Sequence, residues 1–529
     1  MRRRNFLQTT VTAMAVAVAK PAATVAAPAF ELDEVTISEL QQGLQSGKYT
    51  SRSLVEKYSE RIAEIDKRGP ALNSVIQLNP DCEAIAAALD RERKERGPRS
   101  PLHGIPILIK DNVDTYDRMM TTAGSLALAG AKPAQDAFIA KKLRDAGAVI
   151  LGKTNLSEWA NFRSTKSSSG WSARGGQTKN PYALDRNPCG SSSGSGVAAS
   201  ANLCAGTIGT ETDGSIVCPS SANSLVGIKP TLGLVSRTGI IPIAHSQDTA
   251  GPMTRTVADA ALILGALTGE DPRDMLTATS RGKSYTDYTS YLDRNGLKGM
   301  RLGIVRKNFG FNDKVDKLMN DHLATMKQLG AVIVDPAEIP TAGKFDDSEF
   351  EVLLFEFKAD LNAYLAGLGP SAPVRSLKDV IEFNEKNRDR EMPYFGQDIM
   401  IRSQEKGPLT DRKYLAALRK NHLLTRTQGL DFVIRKHRLD ALIAPTGGPP
   451  WPTDWLNGDH FSGGYSSASA VAGYPHITVP AGYIHGLPVG ISFFGGAFTE
   501  PTLIKIAYAF EQATKARRTP KFLTTVNYS

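Results

Sequence analysis

Between residues 105 and 151 the chain alternates strand, helix and strand, which limits the folds open to it more than any other feature. The apolar run 105–109 follows the His103-Gly104 turn and reads as a buried strand. Residues 138–146 space their apolar side chains as a helix does, and 148–151, ending at Gly152, read as a second strand. Two strands joined by a helix argue for an α/β sheet with helices on its faces.

The rest of the chain extends that plan. Leu40, Leu44, Leu54, Tyr58, Ile62 and Ile65 recur at helical spacing, and 81–95 continue in the same style, which predicts a helical layer over 30–95. Residues 280–440 are amphipathic and helical, for example 315–329, with a strand candidate at 330–334. Further strands are expected at 441–444, 476–480 and 489–494, and a last helix over about 501–515. No linker composition interrupts this, so one large α/β/α domain is expected, a mixed β-sheet covered by helices. It would span 96–525 on the N-terminal layer, with 280–440 as an insertion-like helical part.

Residues 1–29 are set apart from this fold. Arg2-Arg3-Arg4-Asn5-Phe6-Leu7 precedes a short apolar stretch, 11–19, and an A-x-A-like site at Ala27-Pro28-Ala29. That is the plan of a signal peptide, and the arginine pair resembles a twin-arginine signal, implying a periplasmic or secreted protein. Four of the charges behind the formal +9 lie in this stretch, leaving +5 on about 500 residues. With no basic stripe interleaved with aromatics, nucleic acid is not an expected partner. No later segment approaches the roughly 20 apolar residues of a membrane-spanning helix. Cys82, Cys189, Cys204 and Cys218 show no CxxC spacing, so neither a zinc cluster nor a redox motif is supported, and they read as small buried hydrophobes.

Three elements carry chemistry: Gly104 to Asn112 ending in Lys110-Asp111-Asn112, Cys189-Gly190-Ser191-Ser192-Ser193-Gly194-Ser195-Gly196, and Gly209-Thr210-Glu211-Thr212-Asp213-Gly214-Ser215-Ile216. The second satisfies G-x-S-x-G around Ser192, and its continuation fits G-x-G-x-x-A. Both motifs require an apolar strand immediately before them, and Asp185-Arg186-Asn187-Pro188 stands there instead. The S-x-x-K matches at Ser280 and Ser403 lack their companion motifs. A strand-end lysine such as Lys110 is either a snorkelling surface charge or a buried base. Lowering a lysine from about 10.4 to about 7 costs on the order of 4–5 kcal/mol, which a fold sustains at a working site. Around Ser215, the consecutive N–H groups of Thr212, Asp213, Gly214 and Ser215 could converge on one oxygen as an oxyanion hole.

In this order and spacing, with Ser191 preceding Ser215 by 24 residues, the elements resemble the amidase signature family. The resemblance extends through Gly227-Ile228-Lys229-Pro230-Thr231, Asp248-Thr249-Ala250-Gly251-Pro252-Met253 and Val471-Ala472-Gly473-Tyr474-Pro475, covering roughly 35–515. It implies Ser215 as nucleophile, Ser191 as bridging serine after a cis Gly190–Ser191 peptide, and Lys110 as base. It implies no cofactor, no metal and no catalytic histidine, leaving His103 and His245 structural. Cys189, Ser193, Glu211 and Asp213 depart from the commonest family pattern. With Trp159 to Arg163 and Gly170 to Gln177 as substrate-side loops, they resemble the family's peptide-amidase branch, which removes the amide from the C-terminus of peptides. The implied substrate is a small-molecule or short-peptide amide, with no obligate protein partner. Competing readings are a broad aliphatic or aryl amidase, the amidotransferase subunit that supplies ammonia to tRNA-bound glutamate, and an inactive binding scaffold.

Overall fold

The computed structural model describes residues 29–369 and 372–528, so the expected leader lies outside the described residues except for Ala29. In chain order the strands are β1 (Val75–Leu78), β2 (Pro106–Lys110), β3 (Val149–Thr154), β4 (Trp171–Ser172), β5 (Gly176–Gln177), β6 (Gly206–Glu211), β7 (Val226–Lys229), β8 (Thr249–Thr254), β9 (Arg301–Ile304), β10 (Val332–Val334), β11 (Ala441–Pro445), β12 (His476–Ile484) and β13 (Leu487–Phe494). Eleven of them make one sheet in the order β1-β3-β2-β6-β8-β7-β12-β13-β11-β9-β10, while β4 and β5 pair with each other. The sheet is mixed: β3-β2-β6 and β11-β9-β10 run parallel, and the strands between β6 and β11 are antiparallel.

The position of β2 follows from its composition. A strand with parallel neighbours on both sides is covered on both faces, so it reads as an unbroken apolar run, and all five residues of β2 are buried. Lys110 is its last residue. The carboxyl ends of parallel strands are where loops converge into a crevice, so topology alone delivers this lysine to the edge of the sheet where such crevices form.

Other elements differ from expectation for physical reasons. The run 35–68 is broken into helices Ile37–Ser46 and Ser51–Arg61, each opened by a threonine capping box, with Gly47 left-handed between them. Strands β6, β7 and β8 are legible only in the structure. Their sequences GTIGTE, VGIK and TAGPMT are rich in Gly and Thr, and Pro252 interrupts β8, yet all three are fully buried at the sheet centre. Tertiary packing overrides weak propensity there. The serine-rich element runs into a helix of small residues, Ser193–Ser200, all eight of which are buried. A side chain at Gly194 would collide with the carbonyls of Ser74 and Asn155, so glycine permits the close approach of helix to sheet.

Two features outside the sheet hold the site. Helix Asp346–Gly367 and its neighbours pack a second apolar cluster, including Leu353, Leu354 and Phe357, onto Trp159 and Phe162. Near the chain end, Arg517 donates to the Ser200 carbonyl at 2.9 Å and the Ser224 carbonyl at 2.7 Å, while pairing with Glu34 at 2.7 and 2.8 Å.

Candidate active site

Lys110 and Ser191 meet at the carboxyl end of β2, and the backbone of Ser215 lies against the same serine loop. Lys110 is fully buried, and its Nζ lies 2.8 Å from Ser191 Oγ, 2.9 Å from Thr210 Oγ1 and 3.3 Å from the Thr210 carbonyl. Asn112 Nδ2 donates to the same Thr210 Oγ1 at 3.0 Å. Burial lowers the Lys110 amine to about 7, against the opposing pull of the Asp248 and Glu211 charges. Lys153 and Lys229 are equally buried, but Lys153 is directed to the Val113 carbonyl and Thr121, and Lys229 to the Pro230 carbonyl. Contact with a serine hydroxyl, rather than burial, singles out Lys110.

The serine loop shows the same selection. Ser192 Oγ donates to the Thr210 carbonyl at 3.0 Å and accepts from Thr210 N at 3.2 Å, so the centre of the G-x-S-x-G match is a backbone tie. Ser193 Oγ donates to the Cys189 carbonyl and Ser195 Oγ to the Ile208 carbonyl. Ser191 alone of this run faces the lysine. The Gly190–Ser191 peptide is cis.

Ser215 lies in the turn after β6, and its carbonyl accepts from Ser192 N at 3.2 Å, which joins the two serine elements directly. Gly214 adopts φ +77°, a conformation that strains other L-residues. Glu211, a departure from the family pattern, accepts from the N–H groups of Ile216 at 2.7 Å and Val217 at 3.0 Å, pinning the chain just past Ser215. Among the described residues the N–H groups of Thr212, Asp213, Gly214 and Ser215 donate to no protein acceptor. Thr212 is braced instead through its side chain, which donates to Asp248 Oδ1 at 2.5 Å. A chamber of about 280 Å³ opens in front of both serine elements, bordered by Gly190, Gly214, Asp213, Trp451, Phe461 and Ser466. A second cleft, of about 370 Å³, reaches Thr210 and Asn112 from another side.

Several expectations need correction. Cys189 and Cys218 are not isolated hydrophobes: they form a disulfide, while Cys82 and Cys204 are free and buried. Because 29 residues separate them, sequence spacing gave no sign of the contact; it arises where the two serine elements pack together. The bond joins the residue before Gly190–Ser191 to the helix after Ser215. Replacing Cys218 with serine is expected to lower stability by about 3.5 kcal/mol, the loop-closure term for a loop of this size, measured by denaturant unfolding. Of the first substrate-side loop, Asn161 lines the chamber, whereas Arg163 is fully buried against Glu158 and the rings of Trp171 and Phe395. Thr210, Asn112 and Asp248 lie inside the motifs read from the sequence, but motif spacing gave them no role; the structure sets the first two at the Lys110 amine and its Thr210 partner, and the third on Thr212.

The histidines stand apart from the serines. His103 is buried with Nε2 2.9 Å from the Leu89 carbonyl. His245 borders the second cleft and pairs with Asp360 at 2.8 Å. With Glu356 it brings three possible metal-ligand atoms together, but Glu356 already accepts from Tyr414 Oη and Ser246 N.

Comparison with known proteins settles the family. The amidase family model matches residues 53–504. The chain belongs to the amidase family. A probable amidase of Arabidopsis thaliana is 44% identical over 503 residues, covering 93% of each chain. The crystal structure of the peptide amidase PAM in complex with the competitive inhibitor chymostatin is 50% identical, covers 93% of this chain and all of its own, and superposes with a TM-score of 0.91. The native peptide amidase from Stenotrophomonas maltophilia is 49% identical, covering 93% of this chain and all of its own, with a TM-score of 0.89. This amidase is therefore an enzyme of the amidase signature fold, and the large mixed sheet expected from sequence is that fold's core. Among its described residues no helix is long and apolar enough to cross a membrane.

Proposed function

We propose that this amidase hydrolyses carboxamides to acid and ammonia with Ser215 as nucleophile, Ser191 as proton bridge and Lys110 as base. The observation that carries the reading is the 2.8 Å contact of a fully buried, charge-disfavoured Lys110 amine with Ser191 Oγ. A neutral amine has one lone pair and two protons. With its protons directed to the Thr210 carbonyl and hydroxyl, its lone pair faces the Ser191 hydroxyl, the arrangement a base requires.

Ser215 Oγ attacks the amide carbonyl and passes its proton to Ser191 Oγ, as Ser191 passes its own to Lys110 Nζ. The carbonyl π electrons move onto oxygen, which the free N–H groups of Thr212 to Ser215 receive. Collapse of this intermediate breaks the C–N bond. The relay runs backward to protonate the leaving nitrogen, which departs as ammonia and leaves an ester on Ser215. Water, deprotonated through the same relay, then releases the acid.

C-terminal peptide amides are the proposed substrates, supported by likeness to peptide amidases over 93% of the chain and by a chamber walled by Trp451 and Phe461. The test is ammonia release from amidated dipeptides against acetamide and benzamide. Peptide amides are expected to show at least tenfold higher kcat/KM; faster turnover of the simple amides would assign a broad amidase instead. We also propose export, since the leader-like residues 1–29 and the Cys189–Cys218 bond both suit an oxidising exterior. Fractionation of cells expressing the full chain tests this, and retention in the cytoplasm would refute it.

A further inference from the structure

Asp213 presents a difficulty for the reaction proposed above. Its side chain belongs to the loop whose N–H groups are to receive a developing negative charge. A carboxylate there opposes that charge unless something neutralises or removes it.

The surroundings of Asp213 contain no cation able to do so. Oδ2 accepts from Ser467 Oγ at 2.6 Å. Oδ1 is enclosed and receives no N–H or O–H from the groups that carry fixed protons. Lys229 feels the Asp213 charge, but it makes no ion pair with it, its Nζ donating instead to the Pro230 carbonyl at 3.1 Å. The remaining titratable neighbours are Glu211, on the same strand end, and the buried phenol of Tyr465, neither of which supplies positive charge.

What faces Asp213 is a second carboxyl. Glu349, in the first turn of helix Asp346–Gly367, is buried with its carboxyl against that of Asp213. Its Oε1 accepts from Gln247 Nε2 at 2.9 Å, and the same Nε2 reaches the Thr212 carbonyl at 3.3 Å. Two ionised carboxylates offer only acceptors, so a hydrogen bond between them requires a proton on one. Asp346 on the same helix adds further negative charge.

From this geometry we infer that Glu349 is a positioning residue that holds one proton against Asp213 Oδ1, limiting the donor loop to a single negative charge and fixing its conformation. Burial, followed by the Asp213 charge, raises the Glu349 carboxyl well above the usual carboxylate range, which places the proton on Glu349. Its O–H then satisfies the enclosed Oδ1. Gln247 and Glu349 form a bracket behind the loop: the first grips the Thr212 carbonyl, the second grips Asp213, and they are joined to each other. The inference rests on the assignment of the Thr212 to Ser215 N–H groups as oxyanion donors.

The pair makes a pH prediction with a definite sign. As pH rises far enough to remove the shared proton, two carboxylates face each other behind the donor loop, and kcat falls. Glutamine at this position donates through its amide and has no proton to lose.

The test compares E349Q with E349A in the full chain. E349A is expected to lose kcat on the order of 10-fold, with KM changed by less than about threefold, because the loop's donors act on the transition state. E349Q is expected to recover most of that kcat and to lack the alkaline decline of the parent enzyme. Independently, the infrared difference spectrum of parent minus E349Q at neutral pH is expected to show a protonated carboxyl stretch that shifts in deuterium oxide. That measurement stands even if E349A fails to fold. Absence of the band, or an E349Q as impaired as E349A, would overturn the inference. A band that persists while S215A still releases ammonia would instead remove the catalytic reading of the loop.

Discussion

Replacing Ser215 with alanine is expected to reduce kcat for ammonia release by about 10⁴-fold or more, leaving KM near that of the parent enzyme. The size follows from the role: a nucleophile and its relay act as a unit, and deleting the nucleophile removes covalent catalysis altogether. The residue is buried, with 8% of its surface exposed beside the chamber-lining Gly214, so alanine removes one oxygen with little disturbance to packing. Intact-mass measurement after a short incubation with substrate supplies a second readout. The parent enzyme shifts by the mass of the acyl group, and the variant shows no adduct. An S215A protein within tenfold of the parent rate would end the serine-nucleophile assignment.

Lys110 carries the second large effect, and it acts on rate and stability in opposite directions. Lys110→Met is expected to lower kcat by about 10³-fold, within the range for loss of a positioned general base. The parent enzyme's activity is expected to climb with pH through about 7, as the buried amine loses its proton, and the residual activity of the variant to lack that limb. The folded amine sits near 7 and the unfolded one near 10.5. Folding therefore releases a proton between those values, and stability rises with pH across that window. Below it the buried ammonium costs the fold on the order of 5 kcal/mol. Methionine removes that cost and forfeits the hydrogen bonds to Ser191 and Thr210, so K110M is expected to be more stable than the parent at neutral pH by about 1–3 kcal/mol. Denaturant unfolding at several pH values checks both claims. A K110M protein that is less stable at neutral pH, or a parent with a flat profile between pH 6 and 8, would show that the amine is not held neutral.

The sequence disclosed the parts of this enzyme whose signal is local. The β2 run and the helix before β3 read correctly because a parallel strand covered on both faces must be apolar along its whole length. Motif spacing singles out Lys110, Ser191 and Ser215 as candidates, and the structure brings Lys110 onto Ser191 and the Ser191 loop onto Ser215. The disulfide and the supports were not legible. Cys218 meets Cys189 only after the serine elements pack, and Glu349 meets Asp213 across 136 positions of chain. Strands β6 to β8 were missed because burial at the sheet centre, rather than propensity, makes TAGPMT a strand. Asp213 was visible as a departure from the family pattern, but its partner lay in a helix with no motif at all.

The Arg517 contacts change how a truncation in this gene should be read. Ser200 closes the helix that follows the Ser191 loop, and Ser224 lies just past the helix that follows Ser215. One guanidinium grips the carbonyls at both places and, across 483 positions of sequence, Glu34. A reading frame cut short before Arg517 would release both serine-bearing segments at their far ends while leaving the codons of Lys110, Ser191 and Ser215 intact. In surveys of genomic variation, a truncation that removes Arg517 belongs with loss of function.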